Sequence, residues 1–268
     1  MATLTEQMAS YAEQGFIFLP EVFDPAEIER MRMRLPEILA EDSPRRVLEK
    51  DGKTVRSVYG AHLTDRVFEQ LTRDPRILGL AQRIVGDDVY VHQFKINCKF
   101  GFGGDVWSWH QDYIFWLKED GVASPDLTTI VVFLDEVNEF NGPLCFIPGS
   151  HKQAVVDVPG SDVVPEQYSN CAPWISNLTA EIKYSVPRDV VARLAGKHGI
   201  VAPKGPPGSV LLFHPNLIHG SSANISPLDR MMVLVTYNSV RNTPVRTANP
   251  RPEFLCARNY AALEPYAV

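Results

Sequence analysis

Near residue 88 the spacing of apolar positions changes. Before it, apolar residues recur at helical intervals. Asp24-Pro25 pairs a capping residue with a first-turn proline ahead of AEIERMRMRLPEILAED, and Pro36 inside that run predicts a break or kink. A second helical pattern runs from Asp65 to about Val85, where Pro75 predicts two shorter helices. After residue 88 the alternation is that of strands: VYVHQFKINCKF, VWSWHQDYIFW, TTIVVFLDEV, PLCFIPGSH, GSVLLFHPNLIHGS and RMMVLVTYNSV. They are short and divided by Gly, Pro and Asn. Successive strands without helices between them predict a sandwich or a barrel-like jelly roll, not a parallel α/β sheet.

Residues 152–205 interrupt the strands. That segment is rich in Pro, Ser and Asp and holds one helical candidate, VPRDVVARLAGK. An excursion of roughly fifty residues inside a β domain points to a functional loop. Without a repeat, a low-complexity tract or a visible boundary, we expect one domain over 1–268. It divides into helical support over about 1–87, a β core over about 88–260 and a lid-like insertion over about 152–205.

Composition narrows the function. At 45% hydrophobic and 22% charged, the 268 residues describe an ordinary globular protein. A net charge of -6 argues against nucleic acid or an anionic membrane as partner, leaving a small molecule. No apolar run approaches the roughly 20 residues of a membrane span. MATLTEQMASYAEQG lacks a basic segment followed by an apolar one, so a cytoplasmic location is expected. Cys98, Cys145, Cys171 and Cys256 form no CxxC pair and read as reduced thiols. Monomer and homodimer both stay open.

The candidate chemistry starts at WSWHQDYIFW. If this is a strand, His110 and Asp112 point the same way and can share a metal ion. Alone the signal is weak, because most His-x-Asp pairs are solvated or satisfied by hydrogen bonds. His219, in NLIHGSSAN, adds a second imidazole. Arg230 follows across SSANISPLD, which reads as a hairpin link holding both in neighbouring layers of one sheet. Two imidazoles and a carboxylate suit non-haem Fe(II) with open positions. A nearby guanidinium offers a planar fork for a carboxylate. His214 is the rival ligand, with a capping role as the alternative. His151 reads as fixing a turn, His62, His92 and His198 as structural or surface, and the KED run at 118–120 as a solvated turn.

These residues, with HQFKIN, WHQD…W…EDG, EFNGPLCFIPGSHK, HGSSANISPLDR and RPEF…ARN, resemble the phytanoyl-CoA dioxygenase-like branch of Fe(II)/2-oxoglutarate oxygenases, and within it the ectoine hydroxylases. The resemblance implies a cupin-like double-stranded β-helix, mainly β with N-terminal helices. It implies iron ligands His110, Asp112 and His219, and 2-oxoglutarate contacts from Arg230, Ser221, Asn97, Lys95 and Gln93. Substrate contacts fall on Gln93, Trp116, Arg251, Thr129 and Phe213. The implied activity is hydroxylation of an aliphatic carbon in a small carboxylate-bearing molecule, an amino acid derivative or natural-product intermediate. It uses Fe(II), 2-oxoglutarate and O2. Desaturation or ring closure would use the same ligands. A non-catalytic metal-binding jelly roll or a zinc hydrolase would leave Arg230 unexplained. Departures lie in the pocket. Ectoine hydroxylases carry WHSDFETWH where this chain reads WHQDYIFWL, Lys95 replaces an arginine, and Leu234 replaces an aromatic. A more apolar substrate than ectoine is expected.

Overall fold

The computed structural model describes residues 4–160, 172–180, 182–245 and 247–266. Local signals set the first helices. After α1 (Leu4–Gln14) and β1 (Phe16–Leu19), Asp24 opens α2 (Pro25–Arg32) with a reciprocal cap. Asp24 Oδ1 accepts from the Glu27 amide and Glu27 Oε2 accepts from the Asp24 amide, both at 2.8 Å. The helix stops at Arg32, and α3 (Leu35–Ala40) restarts with Pro36 in its first turn. Beyond β2 (Arg46–Leu48) and β3 (Val55–Tyr59), Asp65 caps α4 (Arg66–Thr72) and Asp74 caps α5 (Pro75–Val85). The expected split at Pro75 is therefore present. The expectation of an all-helical first third fails, because β1, β2 and β3 are strands of three to five residues. Runs that short carry too little alternation to separate from a helix face.

The remaining elements are β4 (Val89–Lys99), β5 (Trp107–His110), α6 (Tyr113–Phe115), β6 (Leu127–Phe133), β7 (Leu144–Phe146), α7 (Arg188–His198), β8 (Val210–Phe213), β9 (His219–Ser221) and β10 (Arg230–Ser239). α7 begins inside the predicted VPRDVVARLAGK and runs one residue past it, to His198. Seven strands form one sheet in the order β1-β8-β6-β10-β4-β3-β2, and three form another in the order β5-β9-β7. Every paired strand is antiparallel. One face of the large sheet, including Phe94, Ile96, Ile130, Val132, Val233 and Val235, buries against Ile28, Met31, Phe68, Leu71, Ile77 and Leu78 of the helices. The other face, with Val131, Phe133, Leu211, Phe213 and Met232, packs on Leu144 and Phe146 of the small sheet. Covering both faces explains why TTIVVFL reads as a continuous apolar run.

Two expectations about strands are corrected. WSWHQDYIFW is not one strand. β5 ends at His110, and the chain turns through α6 into a five-residue π-type turn, Trp116–Asp120. The Tyr113 amide donates to Pro215 O and the Val122 amide to Trp116 O. Gly121 closes the turn at φ +76°, where a side chain would collide with the carbonyl oxygen of Val245. The KED run is likewise no solvated turn, since Asp120 is buried. Second, SSANISPLD does not link a hairpin. β9 belongs to the small sheet and β10 to the large one, so the segment crosses between sheets. Asn224 holds this crossing by donating from Nδ2 to Lys99 O and Leu228 O.

Within 152–205, Val155, Val156, Val158, Ile182 and Tyr184 pack with Trp107, Ile114 and Phe115. Residues 161–171 and 181 of that segment, and Cys171 with them, lie outside the described residues. Cys98, Cys145 and Cys256 are free thiols. No described helix is long and apolar enough to cross a membrane.

Candidate active site

His110 and His219 are register partners across β5 and β9, which brings their rings to 4.1 Å between centroids. Asp112 reaches them from the turn after β5, so strand alternation is not what unites the pair. Its Oδ1 lies 3.5 Å from His110 Nε2 and 3.8 Å from His219 Nε2. Donor atoms of the three lie within 4.8 Å of one another, close enough to share an ion. Each imidazole is oriented from behind. His110 Nδ1 donates to Ser108 O at 2.6 Å and His219 Nδ1 to Leu217 O at 2.9 Å. The carbonyls fix the tautomer and leave both Nε2 lone pairs for a metal. Burial, together with His110, pulls His219 down to about 4. Burial alone would raise the Asp112 carboxyl, but His219 and His110 hold it below the usual carboxylate range. His219 and Asp112 are thus deprotonated near neutral pH. Gln111 points away, bonding Asn216 O and the Val156 amide.

His214 is no part of this cluster. Its Nδ1 accepts from the Asn216 amide, and its ring lies 5.2 Å from that of His151. This is the capping role. His151 in turn meets Ala12 O through Nε2.

Arg230 opens β10 and is fully buried. Nη1 donates to Asn97 Oδ1 at 3.0 Å, while Nε and Nη2 find no partner among the described residues. Ser221 Oγ, on β9 two residues past His219, is likewise buried and unpartnered. A buried cation with idle donors is costly unless a ligand completes it. Burial pulls Arg230 down to about 10, so it stays charged near neutral pH. Neighbouring Lys99 is different. Burial, reinforced by Arg230, takes it down to about 6, and its Nζ is spent on Asp105 O and Ser222 O. The free fork, the idle hydroxyl and the amide of Asn97 fit the distal carboxylate of a dicarboxylic co-substrate.

Beside His110 and Asp112 is a free space of about 30 Å³. Lys95 borders it, its Nζ 4.8 Å from the Trp107 ring centroid, and burial brings it down to about 8 against the pull of Asp112. Gln93 also borders it and donates from Nε2 to Leu255 O. Phe115, Trp116 and Tyr59 form walls, and Leu178 and Ile182 reach it from the 152–205 segment. Arg251 borders it too, although its Nε and Nη2 are bound to Asp120. Thr129 and Phe213 do not border this space. Thr129 shares a hydrogen bond with Thr236, and the Phe213 ring lies 4.9 Å from that of His219, deeper between the sheets.

Sequence reasoning missed Asp120 and His92. Asp120 is bonded to His92 Nε2 and to Arg251. Burial would raise its carboxyl, but Arg251 and His92 hold it below the usual carboxylate range. The glycine of EDG was the one available signal, since a tight turn closed by Gly121 can bury the residue before it. The buried Arg56–Glu49 pair, with Arg56 stacked 3.8 Å over Trp107, had no sequence signal.

Known proteins resemble this chain over most of its length. The phytanoyl-CoA dioxygenase family model matches residues 11–232. An L-proline trans-4-hydroxylase of Streptomyces griseoviridis is 38% identical over 264 residues, covering 98% of this chain and 96% of the relative. An ectoine dioxygenase of Halomonas elongata is 36% identical over 267 residues, covering 97% and 78%. The crystal structure of EctD from S. alaskensis with 2-oxoglutarate and 5-hydroxyectoine matches at TM-score 0.84 and 32% identity, over 98% of this chain and 87% of that one. A family model spanning most of the chain and a relative matched along its whole length leave one conclusion: the chain belongs to the phytanoyl-CoA dioxygenase family.

Proposed function

We propose that this enzyme hydroxylates a carbon of a small free amino acid, with L-proline as the first candidate. The chain is an iron- and 2-oxoglutarate-dependent dioxygenase. Iron, 2-oxoglutarate and oxygen together supply the oxidation of an unactivated carbon–hydrogen bond, with succinate and carbon dioxide as co-products. The protein orients, binds and excludes water. We assign iron to His110, Asp112 and His219, and the distal carboxylate of 2-oxoglutarate to Arg230 with Ser221 and Asn97. Lys95 and Gln93 lie further along the same strand and would meet the co-substrate's other end or the substrate. Thr129 and Phe213 would shape the floor beneath His219. The single observation that carries this reading is the pair of idle nitrogens on fully buried Arg230.

The substrate assignment rests on the pocket and on the proline hydroxylase relative. Lys95 and Arg251 offer cationic contacts for one carboxylate, while Phe115, Trp116, Leu178 and Ile182 suit an apolar ring. Phe115 stands where ectoine hydroxylases carry threonine, which narrows the space for ectoine. In this reading the chain is a single domain whose double-stranded β-helix lies over about 88–260, widened by β1, β2 and β3 from a mainly helical support over about 1–87. The enzyme acts in the cytoplasm. The free space matches about one water molecule, so a cover must move before substrate enters. Leu178 and Ile182 make the 152–205 segment that cover.

Three outcomes are expected. With Fe(II) and 2-oxoglutarate in air, L-proline should raise succinate release and gain one oxygen by mass, more readily than ectoine. No oxygenated proline would sink the substrate assignment. His219→Ala should abolish stoichiometric Fe(II) binding while His214→Ala keeps it, and the reverse pattern would overturn the ligand set. Amide exchange across 172–186 should slow when Fe(II), 2-oxoglutarate and L-proline are added without oxygen. Equal protection with and without them would make that segment fixed scaffold.

A further inference from the structure

Behind the pocket wall lies a second buried polar cluster that includes none of the three candidate iron ligands. Asp120 is its centre. Arg251 Nε donates to Asp120 Oδ1 at 2.7 Å and Arg251 Nη2 to Oδ2 at 2.6 Å, a bidentate pair. His92 Nε2 meets the same Oδ2 at 3.1 Å. Arg258 closes the back, donating from Nη2 to Arg251 O at 2.5 Å and from Nη1 to Cys256 Sγ at 3.6 Å. His92, Asp120 and Cys256 stand close enough to surround a cation. Guanidinium groups already occupy the carboxylate and the sulfur, however, and a metal there would face their repulsion. The cluster serves another purpose.

Each of its members is coupled to a pocket residue. His92 precedes Gln93 and is the extra residue where β4 and β10 shift register between Thr236 and Tyr237. Asp120 ends the turn that begins at Trp116, and the Trp116 ring packs edge-on against His92 at 5.6 Å. Arg251 borders the pocket itself. With Nε and Nη2 spent on Asp120, only Nη1 of Arg251 is left without a hydrogen bond among the described residues. The arginine therefore cannot swing to meet a substrate with its full fork. It also borders a second cavity, lined by Asp120, Cys256 and Arg258, and has a single nitrogen left to offer a ligand.

We propose that Asp120 is a positioning residue that acts through Arg251, aiming a single N–H edge at the substrate carboxylate and so fixing which carbon is oxidised. This rests on the reading of a carboxylate-bearing substrate. Loss of aim shows as uncoupling, because co-substrate is then consumed without substrate oxidation. The readout is hydroxylated product per succinate at saturating amino acid, which a change in affinity alone does not move. The test begins with a panel of free amino acids, L-proline first, and uses the one that most raises succinate release. A panel result other than L-proline corrects the substrate and leaves this test in place. For Asp120→Asn the ratio should fall at least fivefold. Asp120→Glu keeps the ion pair but displaces it by one methylene. It should also lose coupling, and it preserves the test if an unpaired Arg251 unfolds the Asn variant. Arg251→Gln should lose as much as Asp120→Asn, and the double variant no more than Arg251→Gln alone. Wild-type coupling in both Asp120 variants, or losses that multiply in the double variant, would overturn the proposal.

Discussion

A guanidinium sealed between two sheets, with two of its nitrogens idle, is the constraint on which the rest of the site depends. Arg230 is fully buried and, among the described residues, is bonded only through Nη1 to Asn97. An arrangement of this kind weakens the free protein and is sensible only where an anion completes it. The surrounding charges follow the same logic. Arg56 is matched by Glu49 and Arg251 by Asp120, while burial discharges Lys99. Lys95, on the Trp107 ring, is the other interior cation here without a hydrogen-bonded acid among the described residues. Lys95 borders the space beside His110 and Asp112, and Arg230 is close enough to act on its charge. In the proposed reading two ligands with carboxylates, co-substrate and substrate, match them.

The proposed metal donors depend on a different device. The imidazoles meet because β5 and β9 pair in register, and each is aimed by a backbone carbonyl on its far nitrogen. The carboxylate arrives only because the chain leaves the strand at His110 and turns. That turn continues into Trp116 and Asp120, so one stretch of sequence supplies two of the proposed metal donors, a pocket wall and the anchor of Arg251. Substitution inside it, such as Ile114-Phe115 for a Glu-Thr pair, changes the wall while leaving the donors in place. Machinery and specificity are separable in this segment, though they are contiguous in sequence.

Much of this was legible in the chain. Asp24-Pro25, Asp65 and Asp74-Pro75 mark helix starts through contacts made within three residues, which is why they read correctly. β4, β6 and β10 are long enough to declare themselves. His110, Asp112 and His219 were singled out by spacing and a family resemblance, and the fold brings them together, though not by the strand alternation and hairpin that the spacing suggested. The strands β1, β2 and β3 were not: each has only three to five residues, and β1 and β3 pair with the distant strands β8 and β4. The turn after His110 was hidden for a related reason. Aromatic residues that suit a strand were recruited to a helical turn by packing against Val158, Ile182 and Tyr184. The crossing at SSANISPLD looks like a hairpin because nothing local tells a return within a sheet from a step between sheets. His92 and Asp120 stand 28 residues apart and meet only in the folded chain.

The central claim is that Arg230 is held in wait for the distal carboxylate of 2-oxoglutarate. Titration of 2-oxoglutarate into Fe(II)-loaded Arg230→Ala, without oxygen, tests it most directly. A charge-assisted pair of this kind is worth on the order of 1.5–3 kcal/mol. The variant should therefore keep its iron and bind 2-oxoglutarate roughly tenfold to several-hundredfold more weakly. Undiminished affinity for 2-oxoglutarate in a variant that still binds iron would contradict the account.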